Sequence, residues 1–415
     1  MRALILLFIC LMSAGIAWTQ ELPSDFYKIL VPKKEEVNIN QDEYFQQLIE
    51  GVNQFGFDLY QQLKSRQGNL LFSPYSIATG ISMVGMGTRG GTSLEIQKAL
   101  HYSLNLSPLI HDLNQYLAAN AAATRYSFLS VAASIWLQET IPLLPSFQIS
   151  LKRNFDFILQ PVNFENSSQT LTAINKWMSQ STYGKINQIL SSQEINPAIQ
   201  LILTTGFYWK GEWETPFDRQ ETVKTPFAYR GHPLQVEMMK QRSAFLTLFE
   251  EHFEMIEIAF RKAPDIQAQL VMVLLLPKEG TELAQLEKEF NAAQWKKWTQ
   301  QLKSRSVEIH LPKFRAVGSF DLHPVLKSLG INKAFDPSAD FSSISEKRKV
   351  YLNQAVHKTQ MRIDESGSDG SMVIAARRKQ MVEEIETIKI DRPFFFVIQD
   401  KETGLILSIG RIVQP

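Results

Sequence analysis

Apolar positions recur every three to four residues in YFQQLIEGVNQFGFDLYQQLKSR, residues 44–66, where Leu48, Val52, Phe55, Phe57 and Leu59 supply most of one buried helix face. The run NLLFSP predicts a short strand stopped by Pro74, and YSIATGISMVGMG a helix of small residues suited to close packing. Thr92-Ser-Leu-Glu95 has the form of a capping box opening a helix in SLEIQKAL. SFLSVAASIWLQ predicts a buried strand, and TLTAINKWMSQSTYGKINQIL an amphipathic helix breaking at Gly184.

Strand signals then crowd together: IQLILTTGFYWKGEW, PLQVEMMKQ, FEMIEIAF, AQLVMVLLLP, SVEIHLPKF, KVYLNQAVHKTQMRID, RPFFFVIQD and GLILSIGRIV. One helix, FDLHPVLKSLGI, sits among them. Helices dominate the first half and long strands the second, without repeats, low-complexity tracts or a Pro/Gly-rich linker. This is the signature of one α+β domain built on large antiparallel or mixed sheets. Residues 18–44 form a polar leader, and the domain is expected over residues 45–415. Between the strand-like ends of Met361–Asp400 lies a segment too poor in pattern for a core element, yet containing Val373, Ile374 and Val382.

Composition changes the picture at the N-terminus. Residues 1–17 have a basic start at Arg2, an apolar run from Leu4 to Met12, and small residues at Gly15 and Ala17, as in an export signal. The run is too short to span a bilayer, and no other stretch reaches the length of a membrane helix. The single cysteine, Cys10, lies inside that segment, so the exported chain has neither disulfide nor thiol. Removing Arg2 leaves 42 basic against 42 acidic residues, and no global charge steers the chain toward nucleic acid or a membrane. Asn105-Leu-Ser107 and Asn166-Ser-Ser168 are glycosylation sequons of an exported chain.

Candidate catalytic chemistry is thin. Gly85-Met-Gly87-Thr-Arg-Gly90 matches G-x-G-x-x-G, but a helix approaches it where a dinucleotide site needs a strand, so a helix stop and tight turn explain the glycines. The seven histidines (His101, His111, His232, His252, His310, His323 and His357) show no metal spacing, and no G-x-S-x-G offers an acyl nucleophile. Glu250-Glu251 reads as solvated surface. QWKKWTQQLKSR interleaves Trp295 and Trp298 with Lys296, Lys297, Lys303 and Arg305. It reads first as an amphipathic surface helix, with weak binding of a sulfated polysaccharide (a glycosaminoglycan) as the alternative. No enzyme, cofactor or metal is indicated.

Several ordered segments together resemble the serpin family. NLLFSPYSIATGISMVGMGTRGGTSLEIQKAL is similar to its opening strand and two following helices, and INKWMSQSTYGKI to its helix with a T-x-G-K-I ending. LTTGFYWKGEWETPF is similar to its central strand with the K-G-x-W motif. LNQAVHKTQMRIDESGS resembles the strand leading into its reactive loop, and DRPFFFVI with LSIGRIVQP its last strands. The similarity runs from about residue 45 to Pro415. It implies the serpin fold, with large mixed sheets, about nine helices and an exposed C-terminal reactive loop at about residues 366–390.

The resemblance further implies irreversible, suicide-type inhibition of an extracellular serine protease by a monomer. The protease cleaves the loop, and the loop then inserts into a five-stranded sheet as a sixth strand. A non-inhibitory serpin (a protease substrate, a hormone carrier or a chaperone-like or structural protein) is the alternative. Hinge positions map to Glu365, Gly367, Ser368 and Gly370; the breach to Trp213 and Lys313; the polar shutter to Ser73, Ser76, Thr205 and His357. Counting from Gly367 gives Met381–Val382 as the reactive bond, suited to an elastase- or chymotrypsin-like protease; Arg378 or Lys379 would suit a trypsin-like one. Insertion would turn Ser368, Gly370, Met372, Ile374 and Ala376 inward. Two departures from the family pattern stand out. The hinge carries Gly370-Ser-Met-Val-Ile374 in place of an alanine run, and Thr205 stands where the family has Asn.

Overall fold

The computed structural model describes residues 42–123, 128–157, 159–263, 266–368 and 385–415. These lie in one compact unit, Ile39–Pro415. The expected export signal, all but the last residues of the leader, and the reactive bond fall outside the described residues.

Helix α1 (Glu43–Leu63) starts two residues before the expected start of the domain at residue 45, because the Asp42 carboxylate accepts hydrogen bonds from the Tyr44 and Phe45 amides. Strand β1 (Leu70–Phe72) leads to Ser73, whose hydroxyl caps α2 (Pro74–Gly85) by accepting from the Ser76 amide. Every residue of α2 is buried, since it packs against α1 and against strands of both sheets. The small residues expected there serve that closeness: a Cβ at Gly80 would lie 2.5 Å from Thr205 Cγ2.

One expectation is corrected at α3 (Gly90–Leu100), which begins before Thr92 and has no side-chain cap. Thr92 Oγ1 instead accepts from the Asp340 amide, and the Glu95 carboxylate from the amides of Asn332 and Lys333. Distant backbone claimed both halves of the apparent capping box. Then follow α4 (Pro108–Ala123), β2 (Phe128–Gln138), α5 (Pro145–Phe155), β3 (Gln160–Val162) and α6 (Ser167–Ser181). Helix α6 ends before Gly184, where Tyr183 and Gly184 take φ of 52° and 75°. The remaining elements are β4 (Leu201–Glu212), β5 (Val223–Phe227), β6 (Leu234–Phe249), β7 (Phe253–Ala259), β8 (Leu270–Pro277), α7 (Leu283–Glu289), α8 (Ala292–Gln300), β9 (Lys303–Pro312), β10 (Phe314–Asp321), α9 (His323–Ser328), β11 (Gln354–Asp364), β12 (Gly367–Ser368), β13 (Glu386–Lys389), β14 (Phe394–Asp400) and β15 (Ile406–Ile412). The described residues thus hold nine α-helices and two sheets.

The larger sheet runs β1-β15-β14-β8-β7-β6-β9-β13, with β5 on β6, and the other runs β10-β11-β12-β4-β2-β3. The main core lies between the sheets and around α1 and α2. A second cluster, including Trp136, Ile174, Met178, Ile202 and Val356, lies under α6 on the far face of the six-stranded sheet. Strand β4 is buried on both faces, which is why its sequence, LILTTGFYWKGE, does not alternate apolar with polar residues.

The helix expected over QWKKWTQQLKSR is cut short. Helix α8 stops at Gln300, with Trp295 and Trp298 buried, while Lys303 and Arg305 belong to β9. Lys296 pairs with Glu50 at 2.8 Å, and the Arg305 guanidinium lies over the Phe249 ring. The four cations are therefore divided between two elements, which weakens the polysaccharide alternative. Asn105 and Asn166 are both exposed, and Asn166 caps α6 through the Gln169 amide.

Candidate functional site

The candidate site is the seam between β11 and β4. Their lower halves pair directly and in parallel, from Gln354–Ile202 to Gln360–Tyr208. Above this, β12 lies between them, antiparallel to both: Ser368 is level with Ile363 and Gly211, and Gly367 with Asp364 and Glu212. The expected loop therefore begins inside the sheet. Ser366 and Ser368 are buried, and the Ser368 hydroxyl donates to the Trp209 carbonyl at 2.8 Å. Gly367 adopts φ 136°, and a Cβ there would come within 2.0 Å of the Gly211 carbonyl, so only glycine fits. At its other end the expected loop is again strand, β13, parallel to β9. Residues 369–384, with Gly370, Arg378, Lys379, Met381 and Val382, lie outside the described residues.

Above the seam, Lys313 Nζ lies 2.7 Å from Glu365 Oε1 and 3.5 Å from Glu237 Oε1. The Thr222 hydroxyl donates to the same Glu365 oxygen at 2.7 Å. The Glu365 side chain of this pair is only 6% exposed. Burial alone would raise its carboxyl pKa, but hydrogen bonds from Lys313 and Thr222 outweigh that and hold it below the ordinary value. Trp213 closes the corner from below: its Nε1 donates to the Asp364 carbonyl at 3.0 Å and its amide to the Ser366 carbonyl at 2.9 Å. Its indole stacks on Phe260 at 4.6 Å. Thr222 and Glu237 carry no sequence signal of this role, lying in a polar turn and on an exposed strand face.

Lower down, Ser73, Ser76, Thr205 and His357 meet in one fully buried network. The Ser73 amide donates to His357 Nε2 at 3.1 Å, which makes that nitrogen an acceptor and leaves the proton on Nδ1. Nδ1–H then donates to Thr205 Oγ1 at 2.9 Å, and the Thr205 hydroxyl to the Val356 carbonyl at 3.2 Å. Ser76 Oγ donates to the Gly206 carbonyl at 2.9 Å. Thr205 thus satisfies the ring without an amide. Because Thr205 and His357 are register partners, their hydrogen bond crosses the seam itself.

Burial drives the His357 pKa down to about 3. Between about pH 6.5 and that value the unfolded chain binds the proton and the folded one does not, so stability rises with pH across the window. Acidification is expected to cost the wild type about 1.4 kcal/mol per pH unit below about pH 6.5. His357→Gln removes that slope. Urea-unfolding midpoints measured for both proteins from about pH 7 to about pH 4 check it; parallel curves would assign the acid sensitivity elsewhere.

The Serpin (serine protease inhibitor) family model matches residues 50–415. The chain belongs to the serpin family. It is 31% identical over 376 residues to bovine (Bos taurus) Serpin B8, covering 89% of this chain and 99% of that one. It is 30% identical to the leukocyte elastase inhibitor of Xenopus laevis, covering 87% and 97%. The crystal structure of mouse protein Z-dependent protease inhibitor superposes with a TM-score of 0.78 at 26% identity, over 90% of this serpin and all of that chain.

Proposed function

We propose that this serpin inhibits its target protease irreversibly, by loop cleavage and insertion, without a catalytic group, cofactor or metal of its own. The observation that carries the reading is β12, two residues of loop already seated between β11 and β4. Glu365, Lys313 and Trp213 act as the latch above the seam, and Ser73, Ser76, Thr205 and His357 as the tie across it. The reactive bond is Met381–Val382, with Arg378 and Lys379 as alternatives; counting back from Pro393 allows Lys379 to Val382. An unbranched apolar Met381 suits an elastase- or chymotrypsin-like pocket, and a relative is named for leukocyte elastase. Export is supported by the apolar run after Arg2, and the exposed Asn105 and Asn166 are then glycan acceptors. Material recovered from culture medium should begin after Ala17.

One observation favours the substrate reading as the competitor. Continued residue for residue, the two β12 registers bring Ile374 level with both Thr205 and His357. An isoleucine arriving there breaks the cross-seam hydrogen bond and supplies no polar partner, which slows insertion relative to hydrolysis. Incubation with a panel of elastase-, chymotrypsin- and trypsin-like proteases should give an SDS-stable complex, and mass spectrometry should find a released peptide starting within residues 378–383. Ile374→Thr should raise the fraction of complex over cleaved protein. Clean cleavage by every protease, with no complex from either protein, would establish the substrate reading.

A further inference from the structure

We propose that the sheet face beside the loop's return holds an oxyanion site that takes a carboxylate of the docked protease; this rests on the inhibitory reading above. On the outward face of the larger sheet, Lys240 of β6 and Lys389 of β13 are each register partners of His310 on β9. Two ammonium groups thus flank one imidazole, one on each neighbouring strand, and their like charges repel across it. The carboxylates nearby have partners of their own. Glu308 lies 2.7 Å from His310 Nε2 and is level with Arg242, and Asp391 lies 2.8 Å from Arg392.

These residues border a cleft of about 340 Å³, lined by Lys240, His310, Lys389, Asp391 and Thr225 over an apolar floor of Met238 and Pro226. The Thr225 hydroxyl is buried and has no hydrogen-bond partner among the described residues. An oxyanion in the cleft would lie between the two lysines and accept charge-assisted hydrogen bonds from them. The apolar floor strengthens that attraction relative to open water.

The position selects the partner. Lys389 is seven residues beyond Val382, at most about 25 Å of extended chain. A protease held at that bond is within reach of this face, and the anion a protein surface presents is a carboxylate. Once the loop is engaged, the second contact is intramolecular and needs little intrinsic affinity.

The test compares wild type with Lys240→Glu/Lys389→Glu, and with the charge-matched control Lys176→Glu/Lys297→Glu on exposed helix faces, against a protease that forms a complex with the wild type. The cleft variant should associate about tenfold more slowly at low salt and lose most of its salt dependence, with unchanged stoichiometry. No slowing, or equal slowing in the control, overturns the proposal. Independently, acetate and inorganic sulfate are titrated into the uncleaved protein while the His310 ring is followed by NMR. Both should shift it saturably in the wild type and not in the cleft variant. No saturable shift overturns the site, and a response to sulfate alone overturns the carboxylate assignment. If no protease forms a complex with the wild type, the inhibitory reading and the protease partner fail together, while the titration still decides whether the cleft binds an oxyanion.

Discussion

Cutting the loop between Arg377 and Val382 should raise the melting temperature by about 10–20 °C, and Ser368→Arg should cancel the rise and abolish complex formation. The gain follows from the seam. Insertion breaks one direct ladder, the parallel pairing of Gln354–Gln360 with Ile202–Tyr208, and replaces it with two antiparallel ones. The net addition is about one ladder of seven residues, at about 1 kcal/mol per hydrogen bond. Burying Met372 and Ile374 adds about 1.5–3 kcal/mol each, for a total on the order of 10 kcal/mol. Ser368 is the first inward residue of that strand, fully buried and bonded to the Trp209 carbonyl. An arginine there would bring a guanidinium into the sheet at the first step, at a large desolvation cost. Calorimetry of intact and nicked proteins decides it, with circular dichroism confirming that the intact variant is folded. An unchanged wild-type melting temperature on nicking would mean that the loop does not insert. A full gain in Ser368→Arg would mean that insertion does not begin at this residue.

Most of this architecture was legible because burial leaves periodic marks. The strands β8, β14 and β15 coincide with apolar runs, and the expected helix at α2 is buried on every side. Strand β10 was missed because its alternation is carried by Phe314, Ala316, Gly318 and Phe320, two of which are too small to read as core. The false capping box fails for a different reason: Thr92 and Glu95 do cap backbone, but backbone more than 200 residues away. The same limit applies at the site. Motif positions named Glu365, Lys313, Trp213, His357 and Thr205, yet Thr222 and the Ser73 amide became visible only when the chain brought them together. The seating of Gly367 and Ser368 depends on whether two distant strands have already parted, which no local pattern encodes.

Glu365→Lys should convert the protein, on mild warming, from monomer to polymers. In the wild type one carboxylate oxygen accepts from Lys313 and from Thr222, while Glu365 and Ser366 hold Phe217 and Trp213 through their carbonyls. Reversing the charge sets two ammonium groups against each other in a corner where the native side chain is almost wholly buried. Lys313 is 25% exposed, so the cost is that of losing charge-assisted hydrogen bonds at a half-buried site, about 1–3 kcal/mol. The cost falls where β11 and β4 are already apart, so the variant widens an existing opening. Once β12 is displaced, the edges of β11 and β4 expose backbone groups that another molecule's loop can pair with, and each addition presents a new loop, a head-to-tail contact that does not close. Size-exclusion chromatography after parallel heating measures the rate. Glu365→Lys/Lys313→Glu restores an opposite pair and should recover part of the monomer, which separates the latch from loss of stability in general. Equal polymer growth in wild type and Glu365→Lys would remove this pair from control of the seam, and recovery of nothing in the double variant would place the effect in packing around Trp213.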